Sequence, residues 1–146
     1  MKKIQILLAM AAIVALFQVS SCSSEKVDPS KDNFLNNLSR SWTVNNIQLD
    51  SKDVTNAFPG MVINFTKDGK FTTTNPVGNL WPASGTFTLK PSTIQNLFDL
   101  TRNDGAVVSV TQISSSALQF KMTFATAPGG RLSSVAGSYT FNMKAP

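Results

Sequence analysis

Leu118-Gln119-Phe120-Lys121-Met122-Thr123-Phe124 decides the fold. Leu118, Phe120, Met122 and Phe124 alternate without a break with Gln119, Lys121 and Thr123, and successive side chains of a strand point to opposite faces. The segment is therefore a strand with one face in a core and the other in water. A slip of one residue would expose all four apolar side chains, so its register is strongly specified.

The same period of two extends in both directions. Toward the C-terminus, Ala127-Pro128-Gly129-Gly130 opens a long loop through Arg131, and Tyr139, Phe141 and Met143 alternate with Thr140, Asn142 and Lys144 in a last strand. Toward the N-terminus, Ser114-Ser115-Ser116 is a turn, and Val108 and Val110 alternate with Ser109 and Thr111 within a strand over Ala106–Ile113. Asn103-Asp104-Gly105 and Pro91-Ser92 delimit a strand over Ile94–Arg102, with another over Ser84–Lys90 that sets Phe87 and Leu89 on one face. Asn75 to Asn79 and Trp81-Pro82 separate that strand from Phe71–Thr74. Asp68-Gly69 is a tight-turn dipeptide, and before it Met61, Ile63 and Phe65 share a face. Trp42–Leu49 is the first strand, joined to the second by a longer connection through Asp53 and Phe58-Pro59-Gly60.

Eight strands joined in chain order by short turns describe an all-β, up-and-down antiparallel meander. Closing it into an eight-stranded barrel removes both sheet edges. A two-sheet sandwich satisfies the same alternation but calls for longer Greek-key crossings. Ahead of the strands, Phe34, Leu35 and Leu38 have helical spacing, which predicts a short helix over Lys31–Arg40 with Ser30 as its N-cap.

Residues 1 to 21 read as an address rather than a fold. Lys2 and Lys3 form a positive start, Ile4 to Phe17 an apolar run interrupted only by Gln5, and small residues then lead to Cys22. The run is too short to span a bilayer as a helix. Val19-Ser20-Ser21-Cys22 resembles the bacterial lipobox, which implies cleavage before Cys22, diacylation of its sulfur and acylation of the new amino group. One acyl chain holds a membrane only marginally, whereas two or three anchor it. Residues 22 to 30 then form a polar, lipidated tether, and residues 31 to 146 the barrel domain. Ser23 is not the aspartate that retains many such lipoproteins in the inner membrane, so the expected place is the bacterial outer membrane, reached through acylated Cys22.

Composition excludes several kinds of chemistry. There is no histidine and a single cysteine, which removes the commonest metal ligand and general base and leaves no thiol for a disulfide. Neither a metal site nor a cofactor is expected. Without Lys2 and Lys3 the formal charge falls from +5 to about +3, spread singly along the chain, which is a solvated surface and not a nucleic-acid footprint. Asp68 and Asp104 each precede a glycine, as turn residues do, and Ser114-Ser115-Ser116 has no histidine to activate it. Pro128-Gly129-Gly130 lacks the lysine of a phosphate loop, and Arg131 is a lone basic residue. No catalytic residue is nominated.

The segment Leu38-Ser39-Arg40-Ser41-Trp42-Thr43-Val44 resembles the opening of lipocalin-like domains, where a helical turn leads to a tryptophan that seals the barrel bottom. Ile63 to Phe71, Trp81 and Ser84 to Leu89 are similar to a hairpin and fourth strand of lipocalin-like lipoproteins found in Bacteroidetes. Arg40 stands where lipocalins usually have glycine. The resemblance implies a small calycin-type barrel on a lipid anchor. Trp42, Phe65, Trp81, Phe120, Phe124 and Phe141 are then either the walls of a pocket for a small apolar ligand or a packed core, because an eight-stranded barrel is just wide enough for either. Asn64, Asn96 and Gln119 are polar groups expected to face solvent. Two functions stay open on these residues, an envelope lipoprotein that binds an apolar ligand and a filled barrel that acts as a structural or inhibitory module on an envelope protein.

Overall fold

The computed structural model describes residues 29–78, 80–124 and 136–146. The signal segment, Cys22, most of the tether, Asn79, the Ala127 to Gly130 loop and Arg131 lie outside the described residues. The elements are α1 (Pro29–Leu38), β1 (Ser41–Leu49), β2 (Lys52–Asp53), β3 (Val62–Phe65), β4 (Lys70–Thr74), β5 (Ser84–Pro91), β6 (Phe98–Arg102), β7 (Val107–Ile113), β8 (Ala117–Phe124) and β9 (Gly137–Lys144). Each long strand pairs antiparallel with the next, and β9 returns to β1 through rungs running from Thr43–Lys144 to Leu49–Tyr139. The result is a closed eight-stranded barrel with one short helix, and β2 is a two-residue extension of the β1 hairpin. Asp50 and Ser51 make that extra turn, both at positive φ, the conformation a two-residue hairpin requires.

The helix begins two residues earlier than its apolar spacing predicts, with Pro29 opening it and Ser30 inside it rather than capping it. Proline is tolerated in a first turn because its missing N–H has no helical acceptor there. Phe34 and Leu38, one turn apart, are the buried pair, and Phe34 lies 5.2 Å from the Phe98 ring. The indole N–H of Trp42 donates to the Leu38 carbonyl at 3.0 Å. That bond satisfies one of the carbonyls a helix end leaves without a partner and fixes α1 across one mouth of the barrel.

The fifth predicted strand is shorter than its sequence suggests. β6 starts at Phe98 instead of Ile94, because Asn96 takes φ +61° and the Ser92 N–H closes a loop onto the Leu97 carbonyl at 3.0 Å. Ile94 is left exposed on that loop. Two bulges re-aim side chains: between Val44 and Asn46 in β1, and between Val110 and Gln112 in β7. The bulge in β1 explains why Trp42 and Ile47, five residues apart, both point inward.

Gly85 faces Phe71 across the β4–β5 ladder. A Cβ there would lie 2.6 Å from Asn103 Oδ1 and 2.7 Å from the Phe71 ring, so the aromatic lies flat on bare backbone. Gly85→Ala should cost about 1–3 kcal/mol of stability, the usual penalty for overpacking, read as a lower urea midpoint with an unchanged slope. An unchanged midpoint would show that Phe71 moves aside freely.

Candidate functional site

The mouth closed by α1 carries the β3–β4, β5–β6 and β7–β8 turns. The opposite mouth carries the connections after β1, β4 and β6. Asp68 belongs to the first mouth, exposed and paired with Lys70 at 2.5 Å, and Asp104 to the second. Each carboxylate is paired with a basic residue of its own turn, Asp68 with Lys70 and Asp104 with Arg102, and no hydrogen bond links the two.

Five of the six aromatics singled out from the sequence are buried, and four of them meet inside. Trp42, Phe65, Trp81, Phe120 and Phe141 are all buried, while Phe124 is half-buried at the rim. Trp81 is the hub. Its ring centroid lies 5.3 Å from Phe120, 5.6 Å from Phe71, 6.1 Å from Phe141 and 6.2 Å from Phe65, and Phe120 stacks on Phe141 at 4.7 Å. These spacings fall within the range of favourable aromatic pairs. Trp42 belongs to the other mouth, against α1. Phe65, Phe120 and Phe141 thus gather around Trp81 in the barrel interior.

Two polar atoms in this interior have no partner in the structure: the Trp81 indole N–H and the Thr73 hydroxyl. Thr73 shares the inward face of β4 with Phe71.

The residue that sequence reasoning missed is Arg102. It reads there as the polar end of a strand, yet its side chain is only 1% exposed. Parity explains the burial, because Phe98, Leu100 and Arg102 alternate onto the inner face of β6. The guanidinium lies 5.0 Å over the Trp81 ring, donates to the Leu80 carbonyl at 2.8 Å, and forms a two-point pair with Asp104 through Nε at 3.1 Å and through Nη2. This hydrogen bonding from Arg102 is the main reason the Asp104 carboxyl is held below the usual carboxylate value. An alternating pattern that places a lone arginine at the end of an apolar inward row was the available signal. Arg102 therefore closes the second mouth over the aromatic core, and Asp104 carries the closure to the surface.

Beside Asp104 a solvent-open groove of about 910 Å³ runs between the starts of β5 and β7 and the end of β8, with Val107, Ser109, Lys121, Thr123 and Phe124 among its walls. Among the described residues, no three His, Cys, Asp or Glu side chains come together as a metal would require.

The outer wall carries a chain of polar side chains across five strands. Thr111 Oγ1 donates to Gln119 Oε1 at 2.7 Å, Gln119 Nε2 to Asn142 Oδ1 at 2.7 Å, Asn142 Nδ2 to Asn46 Oδ1 at 3.4 Å, and Asn46 Nδ2 to Asp53 Oδ2 at 2.9 Å. Every donor points the same way, and the run ends on a carboxylate. Successive bonds in such a run polarise one another. Asp53 is held below its usual pKa first by the Thr55 hydroxyl, then by the Thr55 N–H and the Asn46 amide. Gln119, expected as a solvent-facing polar group, lies on the outer wall as the second member of this run. Asn96 is a turn residue, and Asn64 accepts from the Ser41 hydroxyl at 3.5 Å. Gln119→Ala should cost about 1 kcal/mol, measured by chemical denaturation, because it interrupts the run in the middle of the β7, β8 and β9 wall. A loss below a few tenths would mean that water replaces the amide without penalty.

Comparison with models of protein families, with curated proteins and with solved structures finds no match to this chain in any of the three.

Proposed function

We propose that the chain is a non-catalytic lipoprotein of the bacterial envelope, of the lipocalin-like kind its sequence resembles, whose filled barrel serves as an interaction module. The supporting observation is the aromatic packing around Trp81. A carrier of apolar ligands needs a cavity of roughly 300 Å³ or more, and here Phe65, Phe71, Phe120 and Phe141 lie within 6.2 Å of Trp81. The tether leads into α1, at the mouth α1 closes. An acylated Cys22 in the outer membrane then sets that mouth toward the lipid and leaves the groove beside Asp104 facing away from it, toward an envelope protein.

One observation favours the second reading, a small apolar ligand. The Trp81 N–H and the Thr73 hydroxyl are buried without partners, and polar atoms of a ligand would satisfy them. Native mass spectrometry of the full chain from detergent separates the two. The expected mass is the acylated polypeptide alone, and a stoichiometric retained molecule would replace the module by the carrier. Labelled palmitate should be incorporated by the wild-type chain and lost in Cys22→Ala; labelling that persists would remove the lipid anchor from the reading.

A further inference from the structure

The β7–β8 ladder stops two residue pairs short of the start of β7. Its last rung at the second mouth is Ser109–Lys121, and in the same register Val107 and Thr123 stand opposite each other with no pairing between them. The start of β7 turns instead to β6, where Val107 and Val108 pair with Thr101 and Leu100. Alternate residues of an antiparallel strand direct their N–H and C=O to opposite neighbours. The Arg102 N–H donates to the Ala106 carbonyl at 2.9 Å, so Ala106 faces β6, and Val107, one residue on, faces β8. Thr123, two residues beyond Lys121, faces back toward β7. Both walls of the slot thus present a main-chain donor and acceptor that meet no partner among the described residues, and the groove of about 910 Å³ lies between them.

We propose that this slot, where the missing Val107–Thr123 rung leaves two facing strand edges, takes up an extended segment of a partner protein as an added strand. The chain already fills the equivalent wedge at its other mouth. There β6 and β7 part, with Phe98 and Asp99 having no β7 partner, and α1 lies in the opening with Phe34 against Phe98. Among the described residues, no segment plugs the slot at the second mouth. Its chemistry selects a peptide: free N–H and C=O groups on both walls match an extended backbone, which neither an acyl chain nor a simple ion offers. Val107, 51% exposed, and Phe124 supply apolar side-chain contacts. Lys121 and Asp104 contribute one charge of each sign, so the slot has no net preference for a charged ligand.

This inference rests on the interaction-module reading and names its site. The test uses the full chain, isotope-labelled in detergent, and an alternating threonine–valine peptide of about eight residues with a glutamate at each end. Saturating peptide should slow amide exchange at Val107 and Thr123 about tenfold or more, and the same peptide methylated on alternate backbone nitrogens should not. Val107→Pro, which removes a slot-facing N–H that bonds to neither neighbouring strand, should weaken binding about tenfold and leave the barrel folded. Exchange at both amides that is unchanged by the peptide would overturn the proposal. So would protection already present without peptide in a self-associated chain, since the occupant is then a second copy. If native mass spectrometry finds no retained molecule while the peptide protects nothing, only the slot assignment falls; a retained molecule removes the reading beneath it.

Discussion

Trp81→Ala is expected to lower stability by about 4 kcal/mol, within the range for deleting a buried large aromatic, and to lower the melting temperature by roughly 10–20 °C in a domain of this size. The size of the effect comes from position. Trp81 is fully buried and touches Phe65, Phe71, Phe120 and Phe141, so its loss leaves a void walled by four rings that the closed ladder holds in place. Trp81→Phe keeps most of that contact and also deletes the unpartnered indole N–H, so it should cost clearly less. Calorimetry of the three proteins decides. Equal losses for alanine and phenylalanine would show that the indole N–H, and not the ring packing, matters at this position.

Arg102→Ala is expected to cost about 3 kcal/mol. It removes the cation above Trp81, leaves the Leu80 carbonyl without its donor, and opens a hole in the second mouth. Arg102→Met fills that hole without the charge. Because a buried ion pair gains little over a packed apolar replacement, the methionine variant should recover more than half of the loss. Asp104→Asn acts by another route, leaving the guanidinium buried without a counter-charge. The Asp104 side chain is 44% exposed, so solvent screens the loss and the expected cost is only about 1–2 kcal/mol.

The sign with pH follows from the direction of the Asp104 shift. Its carboxyl is lowered in the folded state from an ordinary value of 3.8, so its contribution is full above that value and is lost as the pH falls through the lower folded-state value. Wild type should therefore lose stability in acid more steeply than Asp104→Asn. Parallel acid limbs would mean that the pair contributes nothing to folding. Asp53, also lowered, titrates in the same direction and is present in both proteins, so the difference between them isolates Asp104.

The strands were legible because each long one pairs an apolar row with a polar row. Leu118, Phe120 and Met122 are buried in β8 and Tyr139, Phe141 and Met143 in β9, just as their alternation requires. Closure was legible as a choice between barrel and sandwich; the β1–β9 rungs make it a barrel. Bulges were not legible. An extra residue at Asn45 or Thr111 leaves no mark in composition, and its effect is seen only as the switch of inward parity from Trp42 to Ile47. The Ile94 to Leu97 stretch reads as the start of a strand because apolar Ile94 and Leu97 lead into Phe98, but the left-handed turn at Asn96 prevents pairing there. The candidate site divides in the same way. The aromatic interior follows from periodicity, whereas the Arg102 closure and the missing Val107–Thr123 rung depend on which strands part company, a property of the tertiary register.

Trp42 and Trp81 are the two tryptophans of the chain, and both are fully buried in the barrel. The most direct measurement is their fluorescence in the full chain during a palmitate titration, with acrylamide as quencher. A filled barrel predicts blue-shifted emission, little quenching and no saturable change as palmitate is added. A saturable shift or quench at micromolar palmitate would show room among the rings and would contradict the account.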